Sequence, residues 1–196
     1  MAKKSLNNIF LSASIPYVER DRKYYETADI VAIRDAVRAL ATVVVPTCHL
    51  IWGGHPSITP LIRFVCDRMK VDLKAHVSLY QSLYFEDKFP SDNFAFENII
   101  LSPRADNLKD SLAIMRKALM EDNEFVAGIF IGGMEGIEEE FELFRKTNPK
   151  ALALPIASTG AAARILYDRN SGEYDKRLLN DYAYMAMFRD LLSTFL

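Results

Sequence analysis

The 196-residue sequence predicts an α/β fold with a mainly parallel six-stranded sheet. Three observations point to it. Short apolar runs alternate with stretches of helical period, the pattern of parallel strands joined by helical crossovers. The strand-like runs end repeatedly in glycine or small hydroxylated residues, as at Gly53-Gly54, Gly132-Gly133 and Ser158-Thr159-Gly160. Half of the residues are hydrophobic and 26% are charged, which supplies a sizeable core.

The elements follow in order. IFLSASI at 9–15 reads as a buried strand feeding a loop. From Thr27 onward Ile30, Ile33, Val37 and Leu40 recur at helical spacing until Pro46, and CHLIW is a second strand. Ser57 is read as the N-cap of the next helix, with Pro60 in its first turn. AHVSLYQ is a third strand, FEDKFPSDNFAFEN a loop and IILS a fourth strand. A helix from about Asp106 carries Leu108, Leu112, Met115 and Leu119 on one face. FVAGIFI is a fifth strand, followed by a glycine turn and a helix with Ile137, Phe141 and Phe144 inward. ALALPIA is a sixth strand, and STGAAARIL a further turn and helix. An amphipathic helix over 175–196 closes the chain. With no repeat, low-complexity segment or linker, 1–196 is expected to form a single Rossmann-like domain behind a polar lead-in over 1–8.

Composition excludes several classes. A net charge of −2 and a pI near 6.0 argue against binding of a nucleic-acid polymer. No apolar run approaches the roughly 18 residues of a membrane span. Two cysteines without a CxxC pair, and no secretory apolar region in the opening MAKKSLNN, lead us to expect a reduced, cytoplasmic protein.

Six of the eight glycines lie in three strand-to-helix turns: Gly53, Gly54, Gly132, Gly133, Gly136 and Gly160. Ligands of open α/β sheets bind where such turns gather, outside the carboxyl ends of the strands. The candidate binding residues are therefore these glycines with Ser12, Ser14, Ser158 and Thr159. His55 can donate to a ligand from the first turn, and Arg104 can reach a phosphate from the end of the fourth strand. Tyr17, Tyr24 and Tyr25 are candidates to stack on a base. There is no GxGxxG after the first strand, no GxxxxGK[ST], no GxSxG elbow and no metal-ligand spacing. No metal or cofactor is expected.

Five glutamates crowd into Glu135–Glu142 just after Gly132-Gly133. On a helical wheel Glu140 flanks the apolar face by about 65°, while Glu139 and Glu142 point to solvent and Glu138 lies at the side. Helix-dipole complementation accounts for Glu138 and Glu139. On the preceding helix Arg116 borders the core face, where it can pair with Glu140 or grip a phosphate or ribose. Glu140 and Arg116 are the candidate catalytic pair, and Glu135 joins the binding set.

The segments RKALM (116–120), FIGGMEGIEEE (130–140) and GGHPSITPLI (53–62) resemble the SLOG superfamily, which joins LOG-type nucleotide hydrolases with DprA-like proteins. LOG-type phosphoribohydrolases carry RKxxM followed by PGGxGTxxE, and release a base from a nucleoside monophosphate using the Arg and the final Glu. The resemblance implies those roles for Arg116 and Glu140. Ile131 stands where the motif has proline, Ile137 where it has threonine, and one extra residue precedes Gly136. The second turn thus lacks the hydroxyl that meets a terminal phosphate. The carboxylates would then face ribose hydroxyls, and the amides of Gly53-Gly54 and Ser158-Thr159-Gly160 would hold phosphates.

The pattern is more similar to divergent members of bacterial antiphage systems. That likeness implies a sensor of a nucleotide-derived signal, such as ADP-ribose or cyclic ADP-ribose; a homo-oligomer is expected, with room for a separate effector protein besides. An N-glycosidic hydrolase working through Glu140 and Arg116 is the alternative. A TIR-like NAD-cleaving domain is a third reading, since IFLSAS resembles the opening strand of such domains.

Overall fold

A computed structural model of the chain describes residues 6–19, 21–69 and 71–196. Residues 1–5 of the expected lead-in lie outside the described residues. Six strands form one sheet: β1 (Asn8–Ser14), β2 (His49–Gly53), β3 (Val77–Ser82), β4 (Ile99–Ser102), β5 (Phe125–Gly132) and β6 (Leu152–Ile156). The helices are α1 (Arg22–Tyr25), α2 (Ile30–Val44), α3 (Thr59–Cys66), α4 (Leu73–His76), α5 (Leu108–Glu121), α6 (Glu135–Thr147), α7 (Ala161–Arg169), α8 (Arg177–Asn180) and α9 (Tyr184–Leu191). The strand order is β4-β3-β2-β1-β5-β6. Every pairing is parallel, so the sheet is wholly rather than mainly parallel.

Both faces of such a sheet must be covered, and residue parity along β1 shows how. Ile9 and Leu11 enter one core with Ile33, Val37 and Leu40 of α2, Ile62 of α3 and Phe188 of α9. Phe10 enters the other, with Met115 of α5, Phe141 and Phe144 of α6 and Leu166 of α7. There Phe10 stacks on Phe144 with ring centroids 5.7 Å apart. Asp29 caps α2 by accepting from Ala32 N at 2.9 Å, and Asn107 caps α5 by accepting from Asp110 N at 2.9 Å.

Three local expectations change. Ser57 is not the cap of α3: Ile58 occupies that position, and Ser57 Oγ accepts from Ile15 N at 3.3 Å, tying the loop after β1 to the loop after β2. The 85–98 segment is not featureless. It holds 3₁₀ turns at Leu83–Lys88 and Ser91–Ala95, the first begun by Ser82 Oγ accepting from Tyr84 N. The C-terminal helix is present as α9, but it is not continuous from 175. Asp181 is extended and its carboxylate accepts from Ala183 N at 2.7 Å, a local turn that competes with the helix and separates α8 from α9.

No helix among the described residues is long and apolar enough to cross a membrane. Cys48 and Cys66 are free and buried, and burial pushes the Cys66 thiol up to about 11. Since the thiolate is the reactive form, neither should react with a thiol reagent near pH 8 until the protein unfolds. Rapid labelling of the folded chain would contradict that burial.

Candidate functional site

The chain adds β2, β3 and β4 successively on one side of β1, then returns to place β5 on the other. The strand order reverses there, and the carboxyl ends of β1 and β5 are the place where open α/β sheets form a ligand crevice. Ser14 lies in register with Gly132, and Ser12 with Phe130. Both serines are buried on the α5–α6 side of the sheet. Gly132 (φ 58°) and Gly133 (φ 80°) then turn the chain into α6 through conformations that disfavour a side chain, and a Cβ at Gly133 would overlap Ile137.

Below this turn Glu140 and Arg116 meet, as the two helical wheels require. Arg116 Nε donates to Glu140 Oε1 at 2.9 Å, and Ser12 Oγ donates to Glu140 Oε2 at 2.6 Å. The side chains of Arg116 and Glu140 are 14% and 18% exposed. Arg116 also donates to Glu139 at 2.5 Å, and a Cβ on Gly136 would lie 2.8 Å from its Nη2. Burial alone would lower the Arg116 pKa; Glu140 and then Glu139 outweigh it and raise it above its ordinary value. The result is a permanently charged guanidinium that holds a carboxylate at the base of the crevice.

Glu138, expected at the side of α6 as a complement to the helix dipole, is also bonded to residues of two other helices. Its carboxylate accepts from Tyr24 OH at 2.5 Å and from Arg169 Nη2, with Lys23 Nζ at 3.9 Å, and its side chain is only 16% exposed. Burial and then the Glu138 hydrogen bond raise the Tyr24 pKa. Tyr24 is buried and so is not a free stacking surface, whereas Tyr17 and Tyr25 are exposed. Lys23 and Arg169 were not legible as partners of Glu138: α1 is one turn long and carries no periodic signal, and Arg169 ends α7, 31 positions away in the chain.

The glycine turns are fastened to one another. Gly132 N donates to Thr159 Oγ1 at 2.9 Å, Gly133 N to Ser14 O at 2.9 Å, and Ala162 N to Gly133 O at 3.2 Å. Ala161 N donates to Thr27 Oγ1, Gly160 N to Ala157 O, and Gly54 N to Tyr80 O. Ser158 Oγ is bonded to Tyr184 OH at 3.0 Å. Two of the amides expected to hold phosphates, those of Gly54 and Gly160, thus donate to carbonyls of the chain in this structure.

The remaining candidates are dispersed. Gly53 ends β2 beside the crevice, where Met115 Cε would lie 3.2 Å from a Cβ. His55 Nδ1 is hydrogen-bonded to Ser57, 2.8 Å from its Oγ and 3.3 Å from its backbone N. Glu135 is exposed in the first turn of α6. Arg104 follows β4, three strands and about 14 Å from β1, with its guanidinium over Tyr84. Among the described residues, no group of three or more His, Cys, Asp and Glu is placed to hold a metal ion. Two clefts lie elsewhere: one of about 530 Å³ between α2 and the start of α9, and one of about 220 Å³ beside β6.

With the geometry in place, comparison with known proteins gives one family. The model of the SLOG cluster3 family matches residues 23–192. No curated protein matches the chain.

Proposed function

The chain belongs to the SLOG cluster3 family, and from that premise we propose that it binds a nucleotide-derived small molecule in the crevice between β1 and β5. The observation that carries this reading is the meeting of Ser12, Arg116 and Glu140 beneath the Gly132-Gly133 turn at the switch point of the sheet. An anchored carboxylate is a suitable acceptor for ribose hydroxyls. Because so many turn amides donate internally, the sugar and base supply more of the recognition than a phosphate does. ADP-ribose and cyclic ADP-ribose fit this description, as does a nucleoside monophosphate. In this reading the protein is a cytoplasmic sensor of such a signal in bacterial defence, passing the signal on through a second copy or an effector protein.

The Arg116–Glu140 contact also favours a second reading, N-glycosidic hydrolysis. A largely shielded carboxylate would stabilise an oxocarbenium-like transition state or orient water toward the anomeric carbon, while Arg116 positions the substrate. No second feature accompanies Ser12–Ser14 in support of TIR-like cleavage.

One experiment separates these readings. The protein is incubated with nucleoside monophosphates, NAD, ADP-ribose and cyclic ADP-ribose, with thermal shift and chromatography read in parallel. A stabilising ligand recovered intact supports the sensor. Glu140→Gln should keep the fold, because the amide oxygen still accepts from Arg116 and Glu139 remains as the charged partner. Under the sensor reading it should weaken binding roughly tenfold, the scale of losing one charged hydrogen bond. Under the hydrolase reading it should abolish release of free base and spare binding. Hydrolysis that persists in this variant would remove Glu140 from the chemistry.

A further inference from the structure

The face built from α2 and the segment around α9 is separate from the crevice. The groove of about 530 Å³ there has Asp35, Arg38 and Thr42 of α2 on one wall and Tyr182, Tyr184 and Met185 on the other. Large apolar side chains crowd its surroundings: Val31 is 66% exposed and Tyr182 60%, with Ile30 and Met185 also exposed. An exposed aromatic beside an open apolar groove is the usual form of an interface anchor. The charges on α2 show what the groove suits. Arg34 and Asp35 are adjacent and exposed, and neither side chain forms a hydrogen bond or ion pair with another described residue. Across a two-fold axis, an antiparallel copy of α2 would set each Arg34 against the other copy's Asp35, and each Val31 against the stem of Arg38. A surface is self-complementary in this sense when opposite charges lie symmetrically about one point.

We propose that this face docks a second copy of the chain through a two-fold axis near Arg34 and Asp35, with Tyr182 of each protomer entering the groove of the other. The proposal stands independently of the ligand in the crevice.

The test is sedimentation of the full chain over a wide concentration range. The wild type should form a dimer, and Tyr182→Glu should weaken it by roughly thirtyfold or more, the loss expected for a hot-spot residue. Tyr182 is exposed in the single chain, so at dilutions where both proteins are monomeric the variant should keep the wild-type melting temperature. Arg34→Glu and Asp35→Arg should each weaken the dimer, and the double variant Arg34→Glu/Asp35→Arg should restore it, since both intermolecular pairs re-form with reversed sign. A monomeric wild type would overturn the proposal. So would an oligomer unaffected by Tyr182→Glu, or a double variant no better than the single ones.

Discussion

Arg116→Ala is expected to cost about 3 kcal/mol of stability, the lower end for removing one partner of a buried ion pair. For a chain of this size that lowers the unfolding midpoint by about 6–12 °C. The loss comes chiefly from Glu140, which would stay in a site only 18% exposed with Ser12 as its remaining partner. Glu139 is 58% exposed and can return to water, so it adds little. Arg116→Lys should fall in between, because an ammonium keeps the charge but cannot donate to both carboxylates in the fixed geometry of a guanidinium. Thermal unfolding of both variants beside the wild type is the measurement. An unchanged midpoint for Arg116→Ala would mean that the pair contributes nothing net, and that Glu140 is well solvated without it.

Gly160→Ala should be more damaging still, at about 4 kcal/mol or more, with most of the protein lost from the soluble fraction. Gly160 sits at φ 71° and ψ −158°, a region open essentially to glycine alone. A Cβ there would also overlap the backbone carbonyl of Thr27. That carbonyl has little room to retreat. Thr27 Oγ1 accepts from Ala161 N at 3.0 Å, and two residues on Asp29 N donates to Thr159 O at 3.1 Å. Gly172→Ala is the matched control, since nothing lies within 4 Å of a Cβ at that position. Equal yields and equal melting temperatures for the two variants would show that the 27–29 segment yields easily.

The architecture was readable because strands buried on both faces leave compact apolar runs, and their connections leave helical periods. Glu140 and Arg116 were readable for the same reason: a wheel anchored on Phe141 and Phe144 fixes which neighbours border the core. The partners of Glu138 were not readable because a wheel reports only the angle from the helix's own apolar face. It does not report that a separate element, α1, arrives to cover the side. The fastened turns were hidden for a related reason. Glycine and threonine in a turn advertise amides and hydroxyls, but whether Thr159 faces a ligand or Gly132 N depends on the neighbouring strand. The interruption at Asp181 was masked by apolar residues that keep a helical period across it.

The central position of β1 governs when the crevice can exist. Ser12 and Glu140 are separated by 128 positions in the chain. As the ribosome extends the polypeptide, β1 can pair with β2 early, yet its other edge waits for Phe125–Gly132. At ordinary synthesis rates that interval is on the order of ten seconds. During it an apolar strand presents unpaired backbone groups, the arrangement most exposed to pairing with the wrong partner. Closing so long a loop is also entropically slow. The arrival of β5 therefore ends the most vulnerable stage of the chain's birth, and lets the helix that follows it bring Glu140 to Ser12.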